Sequence, residues 1–339
     1  MFRSSVLSSW AGRLSKQTSL VTPFALLVVL LAMSAARGPH LFTADGVAGA
    51  IAAASPLIIA TVALTVIAIA GPAGVDLSIG PLMTFINISI VLGLTKVGLT
   101  GPVEVFVCAI GIGILIQIGM GALIAGLRLS TVIVTLAGYL ILAGLSTVLL
   151  PQPGGIAPDW MSSWAAGVDV LSPALYVLVG SLVLWALLSR TTLFRNIRLM
   201  GGNNRTAFVS GVRLFPTLLG AHVIAGIFAG IAAVMYTGLI SSADPTAGIS
   251  FTLSAITALV LGGASLAGGR ASAFGSVLGA IDMWLISYVL ATYNFGLNAS
   301  YMVQLTTGVV LVIALLVGGL LASFSVSRRR RLAKLGGEQ

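Results

Sequence analysis

Two carboxylates stand in stretches where an apolar chain ordinarily carries none. Asp76 lies in residues 71–81, which hold three glycines and two prolines between long apolar runs. Proline removes a backbone donor and glycine loosens the chain, so no uninterrupted helix passes through this stretch easily. Irregular backbone at membrane depth is tolerated only where protein or a water-filled cavity satisfies it, so such a break points to a permeation pathway. The plainer reading is a turn between two helices, with Asp76 or Ser78 capping the helix entered at 77–80. Asp282 sits within the apolar run 275–290, where a carboxylate is costly and usually faces the bundle interior or a cavity. There it could carry protons, bind a substrate or bond to a neighbouring helix. Glu104, at the mouth of its apolar run, reads as interfacial.

Two further stretches could carry function. Residues 262–275 form a second glycine-dense break, with Gly262, Gly263, Gly268, Gly269 and then Arg270. Together with Gly74, Asp76, Ser78 and Gly80 these residues are candidates for a gate or hinge. The phosphate-binding pattern G-x-x-x-x-G-K-[ST] occurs nowhere, which excludes nucleotide hydrolysis by that route. The loop 189–214 places Leu193, Ile197 and Met200 on one helical face and Arg195 and Arg198 on the other. Gly201 and Gly202 are expected to end that short helix. The loop reads either as a basic segment lying on acidic lipid or as a contact for a cytoplasmic partner.

These residues must be positioned by membrane helices. The chain has 339 residues, 58% hydrophobic and only 7% charged, with mean hydropathy +1.11. A soluble domain carries about a quarter charged residues, so the fold class is an all-α polytopic membrane protein. Ten spans are expected, near 20–36, 47–70, 78–94, 103–126, 130–150, 173–189, 215–238, 252–268, 271–292 and 301–323. The pair either side of Gly269-Arg270 could instead form a re-entrant hairpin. With the N-terminus inside, fifteen of the 17 basic residues fall on the inner side, and only Arg37 and Lys96 fall outside. Basic residues accumulate on cytoplasmic loops, so both termini are expected in the cytoplasm, and the net charge of +9 reflects topology rather than nucleic-acid binding. The organisation is an N-terminal segment 1–19, a single membrane domain 20–323 and a basic tail 324–339. Outside, 151–172 carries Asp159, Trp160 and Trp164, read as a short interfacial helix. Gly226/Gly230 and Gly275/Gly279 have the G-x-x-x-G spacing that lets helices approach closely. The lone Cys108 excludes an intrachain disulfide, and nothing resembles a metal cluster or a catalytic triad.

Three patches resemble the membrane-spanning permease subunits of ribose-type ABC sugar importers. They are Ala73-Gly74-Val75-Asp76-Leu77-Ser78-Ile79-Gly80, then Leu127-Arg128-Leu129 followed by Ile133-Val134-Thr135-Leu136, and Leu261-Gly262-Gly263-Ala264-Ser265-Leu266-Ala267-Gly268-Gly269-Arg270. Gly201, Gly202, Asn203, Ala207, Ser210 and Gly211 also fit the family's cytoplasmic loop, whereas Asn204 and Arg205 replace residues that are commonly acidic. Asp282 occupies a position that is usually apolar. The resemblance implies an assembly of two permease subunits, identical or mixed, two cytoplasmic ATPase subunits and an external solute-binding protein that delivers a monosaccharide. ATP and Mg would bind the ATPase, with no cofactor on this chain, and 189–214 would couple the ATPase to the pathway. An ion-coupled secondary transporter or channel using Asp76 or Asp282 is the alternative.

Overall fold

The fold is described from a computed structural model covering residues 2–71, 74–165, 169–293, 295 and 301–316. It is helical throughout, and no strand is named among the described residues. The first helix, α1 (Phe2–Arg37), runs back through the polar segment that the sequence sets apart. A short 3-10 turn (Pro39–Phe42) leads to α2 (Ala44–Ala70), opened by Thr43, whose Oγ1 accepts the Gly46 N–H at 3.1 Å. After the interruption come α3 (Ile79–Ile88), prolonged by a π turn (Ser89–Leu94), and α4 (Pro102–Leu127). Glu104 reaches back to the Gly101 N–H at 3.1 Å and so caps α4, a more specific role than an interfacial charge. Then follow α5 (Thr131–Leu149), the short α6 (Asp159–Ala165) and α7 (Pro173–Leu188). Two small helices, α8 (Thr192–Gly202) and α9 (Asn204–Val209), precede α10 (Leu214–Ile240), α11 (Ala247–Leu261), α12 (Ala273–Ala291) and α13 (Tyr301–Leu316).

Each of the ten expected spans therefore has a helix. Six are long and apolar enough to cross a bilayer, or seven if the bent pair α7–α8 is one span. The expected span 252–268 is displaced: α11 begins at Ala247 and stops at Leu261, because Gly263, Gly268 and Gly269 all adopt positive φ (82°, 85° and 74°) and turn the chain. The basic tail 324–339 and the end of the last expected span lie outside the described residues.

Long α2 and α10 form the centre, buried along most of their length. They run antiparallel: Ala52, early in α2, shares a small cavity with Val234 and Gly238, late in α10. Both expected glycine pairs lie at helix crossings. Gly226 and Gly230 back onto Gly113 and Ala109 of α4, so closely that a Cβ on Gly230 would stand 2.7 Å from the Ala109 carbonyl oxygen. Gly275 and Gly279 meet Gly262 and Ala258 across the α11–α12 hairpin in the same manner. Where lipid supplies no hydrophobic drive, such backbone proximity is what dispersion can use. Trp160 and Trp164 pack edge-on, with centroids 4.6 Å apart, and the Trp160 indole N–H donates to the Thr100 carbonyl at 2.6 Å.

The bundle has two ends. One gathers the C-terminus of α2, α8, the start of α10 and the 262–272 turn; Leu193 of α8 lies over Gly220 and Gly269 N–H donates to Ala68 O. The other gathers α6, the end of α10 and the end of α3, where Gly155 lies against Val91. Gly226→Val should force α4 away from α10 and cost ~1–3 kcal/mol, the usual scale of overpacking. Gly144→Val has open space around it and serves as the control. Thermal unfolding of the purified protein in detergent reads both, and equal stability of the two variants would refute the close crossing.

Candidate functional site

The interrupted stretch does not stay at the bundle's end. Gly74 lies so close to Ile67 O that a side chain would collide with the last turns of α2. The chain then enters the interior, where Asp76 and Ser78 are fully buried. Asp76 Oδ1 accepts the Ser78 N–H at 2.8 Å and the Ser78 hydroxyl at 2.5 Å. This is a turn built two residues ahead of α3, not a helix cap, because Ser78 occupies the cap position and its side chain makes no capping bond. Asp76 Oδ2 accepts from Gln117 Nε2 of α4 at 2.5 Å, and Gln117 Oε1 lies 2.6 Å from His222 Nδ1 of α10. With the Gln117 amide donating to the carboxylate, its oxygen must accept, so His222 carries its proton on Nδ1. His222 Nε2 is buried without a partner among the described residues.

Neighbouring helices satisfy the backbone of the break. Thr135 of α5 accepts the Leu77 N–H at 3.2 Å and donates to Val75 O at 3.3 Å. Thr252 of α11 accepts the Gly80 N–H at 3.2 Å. Gly80 is pressed against Gly248 O, leaving no room for a Cβ. Three helices, α4, α5 and α11, thus bond to one turn, and α10 backs the α4 contact through His222. Sequence reading singled out Asp76, Ser78 and Gly80, and quoted Thr135 without linking it to them, but missed Gln117, His222 and Thr252 as their partners. The available signal was polar side chains inside apolar runs, and several such residues are scattered along this chain.

The second glycine-dense break stays at the bundle's end. Gly262 packs against Gly275, Arg270 is exposed, and the Arg270 carbonyl accepts the Ser265 N–H at 2.8 Å. Gly269 N–H donates to Ala68 O at 2.8 Å, and Gly269 also abuts Gly201 of α8. Gly201 in turn lies against Ile69 O, where any side chain would collide. Three separate sequence stretches therefore meet at one glycine junction.

On α8, Ile197 and Met200 are buried and Arg195 and Arg198 exposed, as the spacing requires, whereas Leu193 is only half-buried and Phe194 is the third buried residue. Gly201 and Gly202 form the helix's last turn and do not follow it. Asn203 caps α9 by accepting the Thr206 N–H at 3.0 Å. Ala207 is buried, Ser210 closes the turn on Thr206 O, and Gly211 has φ +83°. Phe208 and Val209 project outward, 68% and 81% exposed. Asp282 is fully buried on α12, and neither of its oxygens has a partner among the described residues, so it is not joined to the Asp76 network.

Residues 46–324 match the family described as a branched-chain amino acid transport system permease component. The chain belongs to this permease family. It is 32% identical to the D-allose transport system permease protein AlsC of Escherichia coli (strain K12), over 77% of each chain. It is 29% identical to the ribose import permease protein RbsC of the same strain, over 90% of this chain and 94% of that one. The galactose/methyl galactoside import permease protein MglC of Haemophilus influenzae is 30% identical, over 65% of this chain and 68% of its own. These matches support the permease reading and lend nothing to an ion-coupled one.

Both Asp76 oxygens accept hydrogen bonds, so Asp76→Asn sets an amide N–H against the Gln117 N–H. The substitution should destabilise the permease by ~1–3 kcal/mol, the scale of a buried polar group left unpaired. Unfolding of the purified variant measures this. A midpoint equal to that of the parent would show that a neutral turn suffices.

Proposed function

We infer that this chain is the membrane-spanning permease subunit of an ATP-binding-cassette importer for a monosaccharide, a ribose-type sugar or related polyol. The family match and the names of the relatives support the reading. Two permease subunits would enclose the pathway in the bacterial inner membrane. An external binding protein would deliver the sugar, and separate cytoplasmic ATPase subunits would bind ATP and Mg and hydrolyse ATP.

The observation that carries the mechanism is the glycine junction of Gly201, Gly269 and the α2 C-terminus. Arg128, the basic loop 189–214 and Arg270 gather at that end of the bundle, which makes it the cytoplasmic end by the rule for basic loops. All ten helices then cross the membrane with both termini inside. The shorter ones, α7, α11, α13 and α3 with its π turn, have 15 or 16 residues and reach ~23–24 Å at 1.5 Å per residue. Extended chain completes the crossings of α3 and α11.

Coupling then follows from contacts. Exposed Phe208 and Val209, flanked by Arg195, Arg198 and Arg205, offer an apolar knob in a basic surround to the ATPase. Movement of α8 is transmitted through Gly201 to Ile69 and Gly269 without slack, because backbone touches backbone. From α2 it passes through Gly74 to the Asp76 turn, which acts as the inner gate. Gly262, Gly263, Gly268 and Arg270 shape the turn that bears on the same α2 terminus.

Phe208→Asp or Val209→Asp should abolish ATPase stimulation and sugar uptake while leaving the yield of folded permease unchanged, since both side chains point into solvent. Assays on the transporter reconstituted with its ATPase and binding protein read both activities. Full stimulation and uptake in both variants would refute the coupling role.

A further inference from the structure

The turn at Asp76 has a second copy. Asp76-Leu77-Ser78-Ile79-Gly80 and Asp244-Pro245-Thr246-Ala247-Gly248 share the pattern D-x-[ST]-x-G. The geometry repeats as well. Asp244 Oδ1 accepts both the N–H and the hydroxyl of Thr246, each at 2.8 Å, just as Asp76 Oδ1 accepts both from Ser78. Each turn follows a long helix of 27 residues, α2 or α10, and starts a short one, α3 or α11. Because α2 and α10 are antiparallel, the copies are inverted: α3 leaves towards the α6 end and α11 towards the α8 end. The two glycines that close the motifs touch each other, and a Cβ on Gly248 would stand 2.9 Å from Pro81 N. Inverted repeats of broken helices, meeting inside the bundle, are a recurring way of building two-sided access.

The copies differ in how they are fastened. Asp76 is sealed, its second oxygen held by Gln117. Asp244 is only half-buried, Thr246 is exposed, and no side chain among the described residues donates to Asp244 Oδ2. The Asp244 N–H donates to Asn87 Oδ1 at 3.1 Å, and Asn87 Nδ2 donates to Thr237 Oγ1 and Ser242 O, both at 2.9 Å. Asn87 therefore ties the 241–246 segment to α3 and α10 on the outer side, where Gln117 ties the inner turn to α4 and α10.

We infer that Asp244 is a positioning residue for the outer entrance of the pathway: its turn aims the half-helix α11 as the Asp76 turn aims α3. This rests on the inner-gate reading above. One oxygen does the work at Asp244, so an amide should serve there, unlike at Asp76.

The test uses right-side-out membrane vesicles carrying the complete transporter in a Cys108→Ser background. Ile249→Cys, 55% exposed on the first turn of α11, reports on the outer turn with a membrane-impermeant maleimide. Labelling should proceed at different rates in nucleotide-free vesicles and in vesicles loaded with ATP and vanadate. Asp244→Ala should remove that difference, and Asp244→Asn should keep it, which separates positioning from misfolding. Equal rates in the two states of the Ile249→Cys parent would overturn the inference. So would an undiminished difference in Asp244→Ala, or its loss in Asp244→Asn as well. Val75→Cys, labelled in inverted vesicles, reports on the inner turn. If Val75 responds to nucleotide and Ile249 does not, only the outer role fails; if neither responds, the inner-gate reading falls with it.

Discussion

A backbone that breaks inside an apolar bundle must find a partner for every amide and carbonyl it exposes. Each such group left unpaired costs several kcal/mol in hydrocarbon, more than any one packing contact returns. The surroundings of the Asp76 turn answer this constraint. Thr135, Thr252 and Gln117 are polar residues in otherwise apolar helices, and each makes a bond to the turn or to its carboxylate, as Ser78 does from within the turn. Their positions fix how α4, α5 and α11 can stand around α3, and His222 ties α10 to α4 through Gln117. The break thus organises the bundle, and the long helices are arranged to accommodate it.

The second constraint is proximity. Satisfying an interior turn from three helices requires them closer than ordinary side chains permit. Glycines supply this at Gly113/Gly226, Gly80/Gly248, Gly262/Gly275 and Gly201/Gly269. Only the last involves the loop 189–214, and through Gly201 that loop touches the end of α2, the helix leading to the Asp76 turn. Close backbone contacts have little compliance, so a displacement at one end is passed on rather than absorbed.

Much of this was legible in the sequence. Apolar run length gave a helix for each expected span, and the 3.6-residue period gave the two faces of α8, with Ile197 and Met200 in and Arg195 and Arg198 out. The glycine pairs gave real crossings. What stayed open was the depth of the Asp76 turn. A charge count places loops by side but says nothing of how far a turn reaches inward, so 71–81 reads equally as a turn between helices and as a break at membrane depth; its second half lies in the bundle. The partners escaped for a related reason. Gln117 and His222 are 41 and 146 residues from Asp76, and nothing local marks them as its companions. The start of α11 escaped because Ser241, with φ 53°, and the bend and turn after it carry no apolar period.

Asp282 shows where these constraints stop explaining the molecule. The rule that satisfies Asp76 from its own turn and from α4 leaves Asp282, equally buried, with neither oxygen bonded among the described residues. The difference lies in the surroundings: the Asp76 turn is ringed by polar side chains from neighbouring helices, and no described side chain donates to Asp282. Permease function on the reading above runs from α8 through Gly201 and α2 to the Asp76 turn, and that route passes through α2 and not α12. The transmission path therefore holds together without Asp282, and an ion-coupled mechanism using Asp282 would rest on a carboxylate that the hydrogen-bonded network does not reach.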